Sequence, residues 1–171
     1  TWNAVYFGIL VNGRGNRFVR EDAPFQVVSN AQNAQPGYGK NCWYIFDETM
    51  YEGMEDALEE FKQKGWLYEG ASADELAQAA GIDADGLSAT LERYGSFFEA
   101  GRDEDFDRDL AVTLPFTGSR LFAFTTNSNV LATTGGLCID EHCSVLDVND
   151  EPIRGLYACG NASGSFFSGN Y

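Results

Sequence analysis

The first fifty residues combine short apolar runs with turn-forming residues. The run Phe7–Val11 is followed by the turn-rich stretch 12–16 and by Arg17–Val19, which predicts a β-hairpin. Polar residues and two prolines between Glu21 and Lys40 predict an irregular segment over the surface. The next apolar run, Trp43–Phe46, predicts a buried strand.

The middle of the chain carries helix patterns with recognisable ends. Within residues 52–64, apolar residues recur at helical spacing, with acids early and lysines late, as the helix dipole prefers. A capping box at Ser72–Glu75 opens a short helix. A longer helix is predicted from a cap at Asp83 to a stop at Gly101. Its apolar face consists of Leu87, Leu91, Tyr94 and Phe98.

After Arg108 the pattern changes to short strands. They are predicted at Leu121–Thr126, Leu137–Ile139, Cys143–Leu146 and Leu156–Cys159, with a turn at 149–152 before the last one. Helices in the middle and strands at both ends predict an α+β lobe, and the final strands are predicted to belong to a different part of the fold.

Composition excludes two broad classes of protein. The chain has 171 residues, of which 44% are hydrophobic and 14% aromatic, so it can bury a core and is not disordered. Its net charge is −15, from 26 acidic and 11 basic residues. We expect no nucleic-acid partner, because binding to a phosphate backbone depends on Lys and Arg. We interpret the acidic surplus as a solubilising surface.

The sequence predicts neither a metal site nor a membrane-spanning helix. Its four cysteines have no C-x-x-C spacing and its one histidine is His142, so we predict no metal site. Cys138 and Cys159 lie in apolar runs and are predicted to be buried thiols. No stretch reaches the roughly 18 apolar residues that a membrane-spanning helix needs.

One strand near the C-terminus ends in a way that suits a cofactor. The run Ile153–Cys159 predicts a buried strand that ends at Gly160, with small or polar residues following through Gly164. A glycine in this place lets backbone amides approach a cofactor that a side chain would hold away. Structural strands often end in glycine too, so this pattern alone does not decide between a cofactor site and packing.

Three ordered segments together resemble the fumarate reductase and succinate dehydrogenase flavoprotein family: Thr133–Asp140, Val145–Asp147 and Gly155–Gly160. Residues 8–21 resemble the start of that family's cap domain, and residues 72–108 resemble its cap helices. The resemblance implies that the chain is part of a longer flavoprotein, because the Gly-rich FAD fingerprint of the family lies before the matching region.

The resemblance also implies a division of labour along the chain. Residues 1–128 would form a cap domain over the substrate, and residues 129–171 would form the C-terminal part of an FAD-binding domain. FAD is the implied cofactor of the full-length protein, and hydride transfer to an activated C=C bond is the implied reaction. The residues implied to contact the cofactor are Gly135, Gly136, Gly160, Asn161, Gly164 and Ser165.

Other expectations concern the chain by itself and its setting. We expect the isolated chain to bind FAD poorly and to be inactive, because the phosphate-binding half of the domain is not among its residues. The implied partner is a small-molecule electron acceptor, and the sequence does not identify the electron donor. The resemblance alone implies a location in the bacterial cell envelope or outside the cell.

Three positions depart from the family pattern. The family's H-T-M-G-G has a substrate-binding histidine where this chain has Ala132, before Thr133 and Thr134. The family's proton-donating arginine, four residues after the glutamate of R-F-x-N-E, is replaced by Phe25, and its second carboxylate-binding arginine by Tyr171. Neither Phe nor Tyr can form the bidentate fork of arginine with a carboxylate. We therefore predict an acceptor other than fumarate that is less charged, larger, and aromatic or enone-like.

The replacements supply the candidate substrate-site residues. Phe25, Thr133 and Thr134 are predicted to bind the substrate. Tyr171 is predicted to hydrogen-bond the substrate or act as general acid, unless it is an ordinary aromatic residue. Arg20 is either a substitute proton donor or an exposed hairpin arginine. The same losses leave a second class open, in which the chain belongs to a non-catalytic binding or scaffold module that kept the flavoprotein fold.

Overall fold

The computed structural model describes residues 7–36, 42–50, 55–128 and 135–164. The chain divides into two units, unit 1 at Thr1–Ser128 and unit 2 at Asn129–Tyr171. Helices and small antiparallel sheets make the fold α+β, as the sequence predicts.

Unit 1 is built on a four-stranded antiparallel sheet in the order β1-β2-β4-β3. Its strands are β1 at Ile9–Asn12, β2 at Cys42–Asp47, β3 at Leu67–Gly70 and β4 at Leu121–Thr125. Ile45 in β2 lies opposite Ile9 on one side and Ala123 on the other. Every residue of β2 is buried, because the strand is central and both faces of the sheet are covered.

Four α-helices cover the sheet: α1 at Phe25–Asn33, α2 at Glu55–Gln63, α3 at Ala73–Ala80 and α4 at Ala84–Ala100. Short 3₁₀ turns lie at Leu110–Val112 and, in unit 2, at Gly160–Ala162. No helix within the described ranges has the length and apolar character needed to cross a membrane.

Successive side chains of β2 point to opposite faces of the sheet, and each face is covered by two of these helices. Ile45 packs on one face with Leu76 of α3 and Tyr94 of α4. On the opposite face Tyr44 packs with Val28 of α1. Phe46, on the same face, packs with Leu58 of α2. The result is a three-layer arrangement with the sheet between two pairs of helices.

The predicted helix ends in the middle of the chain are confirmed. The Ser72 hydroxyl accepts a hydrogen bond from the Glu75 amide at 3.2 Å, and the Asp83 carboxylate accepts one from the Gly86 amide at 2.8 Å. Gly101 ends α4 in the left-handed conformation, with φ of 75°.

The structure of unit 1 differs from the predictions at three places. The segment 21–40 was predicted to be irregular, but it contains α1, which begins after Pro24 and buries Val28 and Gln32. The predicted hairpin is confirmed in part, because Arg17 forms an antiparallel bridge with Val11 and the Asn12 amide donates to the Asn16 carbonyl at 3.0 Å. The residues after Arg17 do not continue as a strand, and β1 pairs with β2. Strand β3 was not predicted, because its short run carries no alternation of buried and exposed positions.

The turn after β1 packs against the start of α4. Gly15 has φ of +73°, and a Cβ placed on it would lie 2.2 Å from the Leu87 amide nitrogen. Only glycine permits both the backbone conformation and this close approach. The glycine-rich turn at 12–16 therefore has a structural reason in unit 1.

Unit 2 contains a two-stranded antiparallel ribbon of β5, Ser144–Leu146, and β6, Pro152–Tyr157. The prediction of a buried final strand is wrong, because all six residues of β6 are exposed. The prediction of buried thiols is also wrong, since Cys138 and Cys159 are exposed and Cys42 is the buried cysteine. A two-stranded ribbon has no second layer to cover its faces.

Candidate cofactor and substrate sites

Two backbone segments of unit 2 run side by side. The Leu137 amide donates to the Ala162 carbonyl at 3.0 Å, and the Gly164 amide donates to the Leu137 carbonyl at 2.8 Å. These bonds form a parallel bridge between Leu137 and Ser163. They bring together the two predicted cofactor-contact stretches, 135–136 and 160–164.

Glycine is needed at position 136 for this close approach, and a side chain at position 164 would also be tightly placed. A Cβ on Gly136 would lie 2.6 Å from the Ala162 carbonyl oxygen, and a Cβ on Gly164 would lie 3.0 Å from the carbonyl oxygen of Gly136. Real Cβ atoms do not come as close to backbone as the first of these distances, so packing alone accounts for glycine at position 136. Contact of either glycine with a cofactor stays a prediction.

Gly135 and Gly160 differ from this pair, because a side chain at either position would meet no neighbouring atoms. Nothing lies within 4 Å of a Cβ placed on either residue, and Gly160 has φ of +59°. Asn161 follows in the 3₁₀ turn with an exposed side chain. Gly135, Gly160 and Asn161 are exposed, and backbone amides and side-chain amides are groups that can hydrogen-bond a dinucleotide cofactor such as FAD. Ser165, Thr133, Thr134 and Tyr171 lie outside the described residues.

Two aspartates of the family-like motif close turns in unit 2. Asp140 accepts hydrogen bonds from the Ser144 and His142 amides at 2.8 and 2.9 Å, and the bond from Ser144 is the main reason why the pKa of Asp140 is lowered. Asp147 accepts from the Glu151 and Asn149 amides, and the pKa of Asp147 is lowered in the same way. These carboxylates hold loops in place.

A buried ion cluster lies beside the start of α1 in unit 1. The Glu21 carboxylate accepts from Arg17 Nε and Nη2 at 2.9 and 2.8 Å, and from Arg108 Nη1 at 3.2 Å. It also accepts from the Leu10 amide at 3.1 Å. The side chains of Glu21 and Arg108 are fully buried, and that of Arg17 is 3% exposed. Glu21 is therefore a local structural acid that ties β1, Arg17 and Arg108 together.

Asp103 completes the cluster from the segment after α4. It accepts from Arg17 Nη2 at 2.9 Å, across 86 residues of chain. Burial alone raises the pKa of Asp103, but hydrogen bonds and the charge of Arg17 outweigh it, so the pKa is lowered. Burial opposes the charge of Arg17 as well, and its carboxylate partners still raise its pKa. The Arg17 guanidinium is 5.0 Å from the ring centres of Tyr94 and Phe106.

Arg20 and Phe25 lie on either side of Glu21 in the sequence. Arg20 Nε forms an ion pair with Asp22 at 2.9 Å, and its side chain is 44% exposed. Phe25 is the first residue of α1 and is 53% exposed. The described part of unit 1 thus presents an aromatic ring, four residues after Glu21, at a position where the resemblance places an arginine.

Sequence reasoning missed the cluster for a simple reason. Arg17 and Asp103 are far apart in the chain, and neither carries a local pattern that points to the other. The described ranges contain no group of three His, Cys, Asp or Glu side chains that could hold a metal ion.

The family of the FAD-binding domain matches residues 8–171. Over 162 residues the chain is 36% identical to an NADH:fumarate oxidoreductase of Klebsiella pneumoniae (strain 342). The aligned region covers 95% of this chain and 17% of that protein. The open conformation of a flavocytochrome c3 fumarate reductase matches with a TM-score of 0.76 and 30% identity, over 95% of this chain and 28% of that one.

A second solved structure extends the range of reactions among the similar proteins. The 3-ketosteroid Δ1-dehydrogenase from Sterolibacterium denitrificans, in complex with 1,4-androstadiene-3,17-dione, matches with a TM-score of 0.75 and 27% identity. It covers 95% of this chain and 34% of that one. The chain therefore spans about a third or less of the length of each of these three proteins.

The match of the family over residues 8–171 shows that the chain belongs to the FAD-binding domain family of flavoproteins. The resemblance to fumarate reductase flavoproteins that the sequence motifs indicate is confirmed, and FAD is the cofactor of this family.

Proposed function

We propose that the chain forms the cap, residues 1–128, and part of the FAD-binding domain, residues 129–171, of a flavin-dependent reductase. Its substrate is a small organic acceptor with an activated C=C bond, and the acceptor is not fumarate. The observation that carries this proposal is the half-exposed Phe25 ring at a position where the family resemblance places an arginine. When bound, FAD supplies the hydride.

The state of the nearby arginines supports an acceptor with fewer carboxylates. Arg17 and Arg108 are buried and donate to Glu21, and Arg20 pairs with Asp22. Recognition of a dicarboxylate by a bidentate fork needs an arginine whose donors are not already engaged by protein carboxylates. The ring of Phe25 instead offers apolar and aromatic contact to an enone or aryl group.

The chain's own side chains bind the acceptor and supply a proton to it. Phe25 packs against the acceptor and orients it, and Thr133 and Thr134 donate hydrogen bonds to its polar end. The Tyr171 hydroxyl hydrogen-bonds the acceptor or gives it a proton, and Arg20 is the alternative donor. Substitution Tyr171→Phe in the full-length protein is expected to lower turnover, and unchanged kinetics would remove Tyr171 from the mechanism.

The experiment that tests the acceptor class uses the full-length protein with its flavin reduced under argon. Reoxidation is followed by absorbance after addition of fumarate, of cyclohexenone or of an aryl acrylate. We expect the enone or the aryl acrylate to be reduced at least about tenfold faster than fumarate, as expected when a carboxylate-binding fork is absent. Fumarate as the fastest acceptor would overturn the proposal.

A matched pair of variants assigns this specificity to position 25. Phe25→Arg restores the cation of the family pattern, whereas Val27→Arg adds the same charge two residues away, on a side chain that is 50% exposed. We expect kcat/KM for fumarate to rise in Phe25→Arg and not in Val27→Arg. Equal effects would show that the added charge acts at long range and that position 25 does not set specificity.

One observation favours the second class, a scaffold derived from the flavoprotein fold. Gly136 and Gly164 have a packing reason that needs no cofactor. The two classes differ in flavin content, since a reductase carries a reducible flavin and a scaffold does not. The implied location in the cell envelope or outside the cell also belongs to this proposal, and the resemblance to fumarate reductases supports it.

A further inference from the structure

Helix α1 contains one buried amide side chain. Gln32 is 4% exposed, and its Nε2 donates to the Thr126 carbonyl at 2.6 Å. Ser128 Oγ lies 3.4 Å from Gln32 Oε1 and 3.2 Å from the Ser29 carbonyl, also in α1. A buried amide is costly without hydrogen-bond partners, so these contacts decide where Gln32 is stable.

The partners of Gln32 lie at the end of unit 1. Strand β4 ends at Thr125, and unit 1 ends at Ser128. On its other side the segment 126–128 is held by β2, because the Thr126 amide donates to the Cys42 carbonyl at 3.0 Å. The last residues of unit 1 are therefore fixed between β2 and α1.

Packing alone does not call for glutamine at this position. Val28, four residues earlier in α1 and also buried, belongs to an apolar cluster with Cys42 and Tyr44, so an apolar side chain of similar size would suit this side of the helix. The amide adds a donor for the Thr126 carbonyl, which lies just beyond the last paired residue of β4. Without Gln32 that carbonyl loses its short hydrogen bond from α1.

We infer that Gln32 is a conformational latch. It holds segment 126–128, through which the chain leaves unit 1, against α1, so that this connection and the helix that carries Phe25 move as one body. This inference depends only on contacts within unit 1 and holds whether or not the proposed reaction is correct.

Hydrogen exchange of the full-length protein tests the latch. Gln32→Leu removes both contacts with little change of volume, and Gln26→Leu is the matched control, because Gln26 lies on the same helix with an exposed side chain. We expect the amides of residues 126–128 to exchange up to about tenfold faster in Gln32→Leu than in Gln26→Leu, as the loss of one buried hydrogen bond implies. Exchange in residues 42–47 should be unchanged.

Two results would overturn the inference. Equal exchange of residues 126–128 in both variants would show that Gln32 holds nothing there. A uniform increase over unit 1 would show that Gln32 serves general stability. Ser128→Ala removes only the longer contacts and should fold even if Gln32→Leu does not. It is expected to accelerate exchange at 126–128 about two- to threefold, and no change would also contradict the latch.

Discussion

The two units of the chain stabilise their structure by different means. Unit 1 covers both faces of a four-stranded sheet with helices, so that the central strand is entirely buried. Unit 2 is a two-stranded ribbon whose longer strand is entirely exposed, and Val145 and Ala158 are the buried hydrophobic residues among its described positions. An isolated ribbon of this kind is marginal in water.

The difference shows where each unit depends on special contacts. Unit 1 contains, beside its apolar core, a buried ion cluster in which Glu21 pairs with Arg17 and Arg108. In unit 2 order comes from aspartate-closed turns and from the close approach of backbone at Gly136. We expect substitutions to separate the units accordingly.

The largest expected effect comes from the ion cluster of unit 1. Glu21→Gln leaves Arg17 and Arg108 buried without their shared carboxylate, and should lower the free energy of unfolding by about 3–5 kcal/mol. Urea unfolding followed by tryptophan fluorescence, to which the buried Trp43 contributes, measures it. Asp105→Asn, which breaks an exposed pair with Arg93, is the control and should shift the midpoint far less. Equal shifts would show that burial of the cluster is unimportant.

A smaller effect is expected from the glycines of unit 2. Gly136→Ala should destabilise this unit by about 1–3 kcal/mol, because the added methyl group meets the Ala162 carbonyl. Gly135→Ala places the same group in open space and should leave stability unchanged. Hydrogen exchange of residues 139–146 compares the two variants. In the full-length protein, a loss of FAD affinity in Gly135→Ala alone would identify Gly135 as a cofactor contact.

Acid should act on both units through carboxylates whose pKa values are lowered. The pKa values of Asp103, Asp140 and Asp147 are lowered in the folded state, so each contributes stability above about pH 4, which is lost as the pH falls toward the folded value. Asp147→Asn keeps an oxygen that can accept the turn amides and should flatten the acid response of unit 2 with little loss at neutral pH. Asp103→Asn should destabilise unit 1 already at neutral pH. Similar curves for the two variants would contradict this distinction.

The smallest expected signal is FAD binding by the isolated 171-residue chain. Its candidate contacts all lie between Gly135 and Ser165, and the Gly-rich phosphate-binding fingerprint is not among its residues. Fluorescence titration with FAD should show no saturable binding. A dissociation constant of about micromolar or tighter would show this expectation to be wrong.

Sequence patterns predicted the parts of unit 1 that local chemistry decides. The caps at Ser72 and Asp83 and the stop at Gly101 form as predicted, because each depends on residues three or four positions away. Helix α1 was missed because its sequence is rich in Asn and Gln. It is stabilised by contacts distant in sequence, such as the bond from Gln32 to Thr126.

The candidate sites were predictable only in part. Position 25 was singled out by the family resemblance, four residues after Glu21, and its side chain is exposed in the structure, while its role stays a prediction. The cluster of Glu21, Arg17 and Asp103 could not be found from spacing, since its members come together only through the fold. Burial of Ile153–Tyr157 was wrongly predicted, because an apolar run does not show whether a second layer covers it.

The most direct test of the proposed function is the visible spectrum of the full-length protein before and after reduction. We predict a yellow protein whose flavin absorbance bleaches on reduction under argon and returns when an enone or aryl acrylate is added. A colourless protein that added FAD does not reconstitute would contradict the proposal and favour the scaffold.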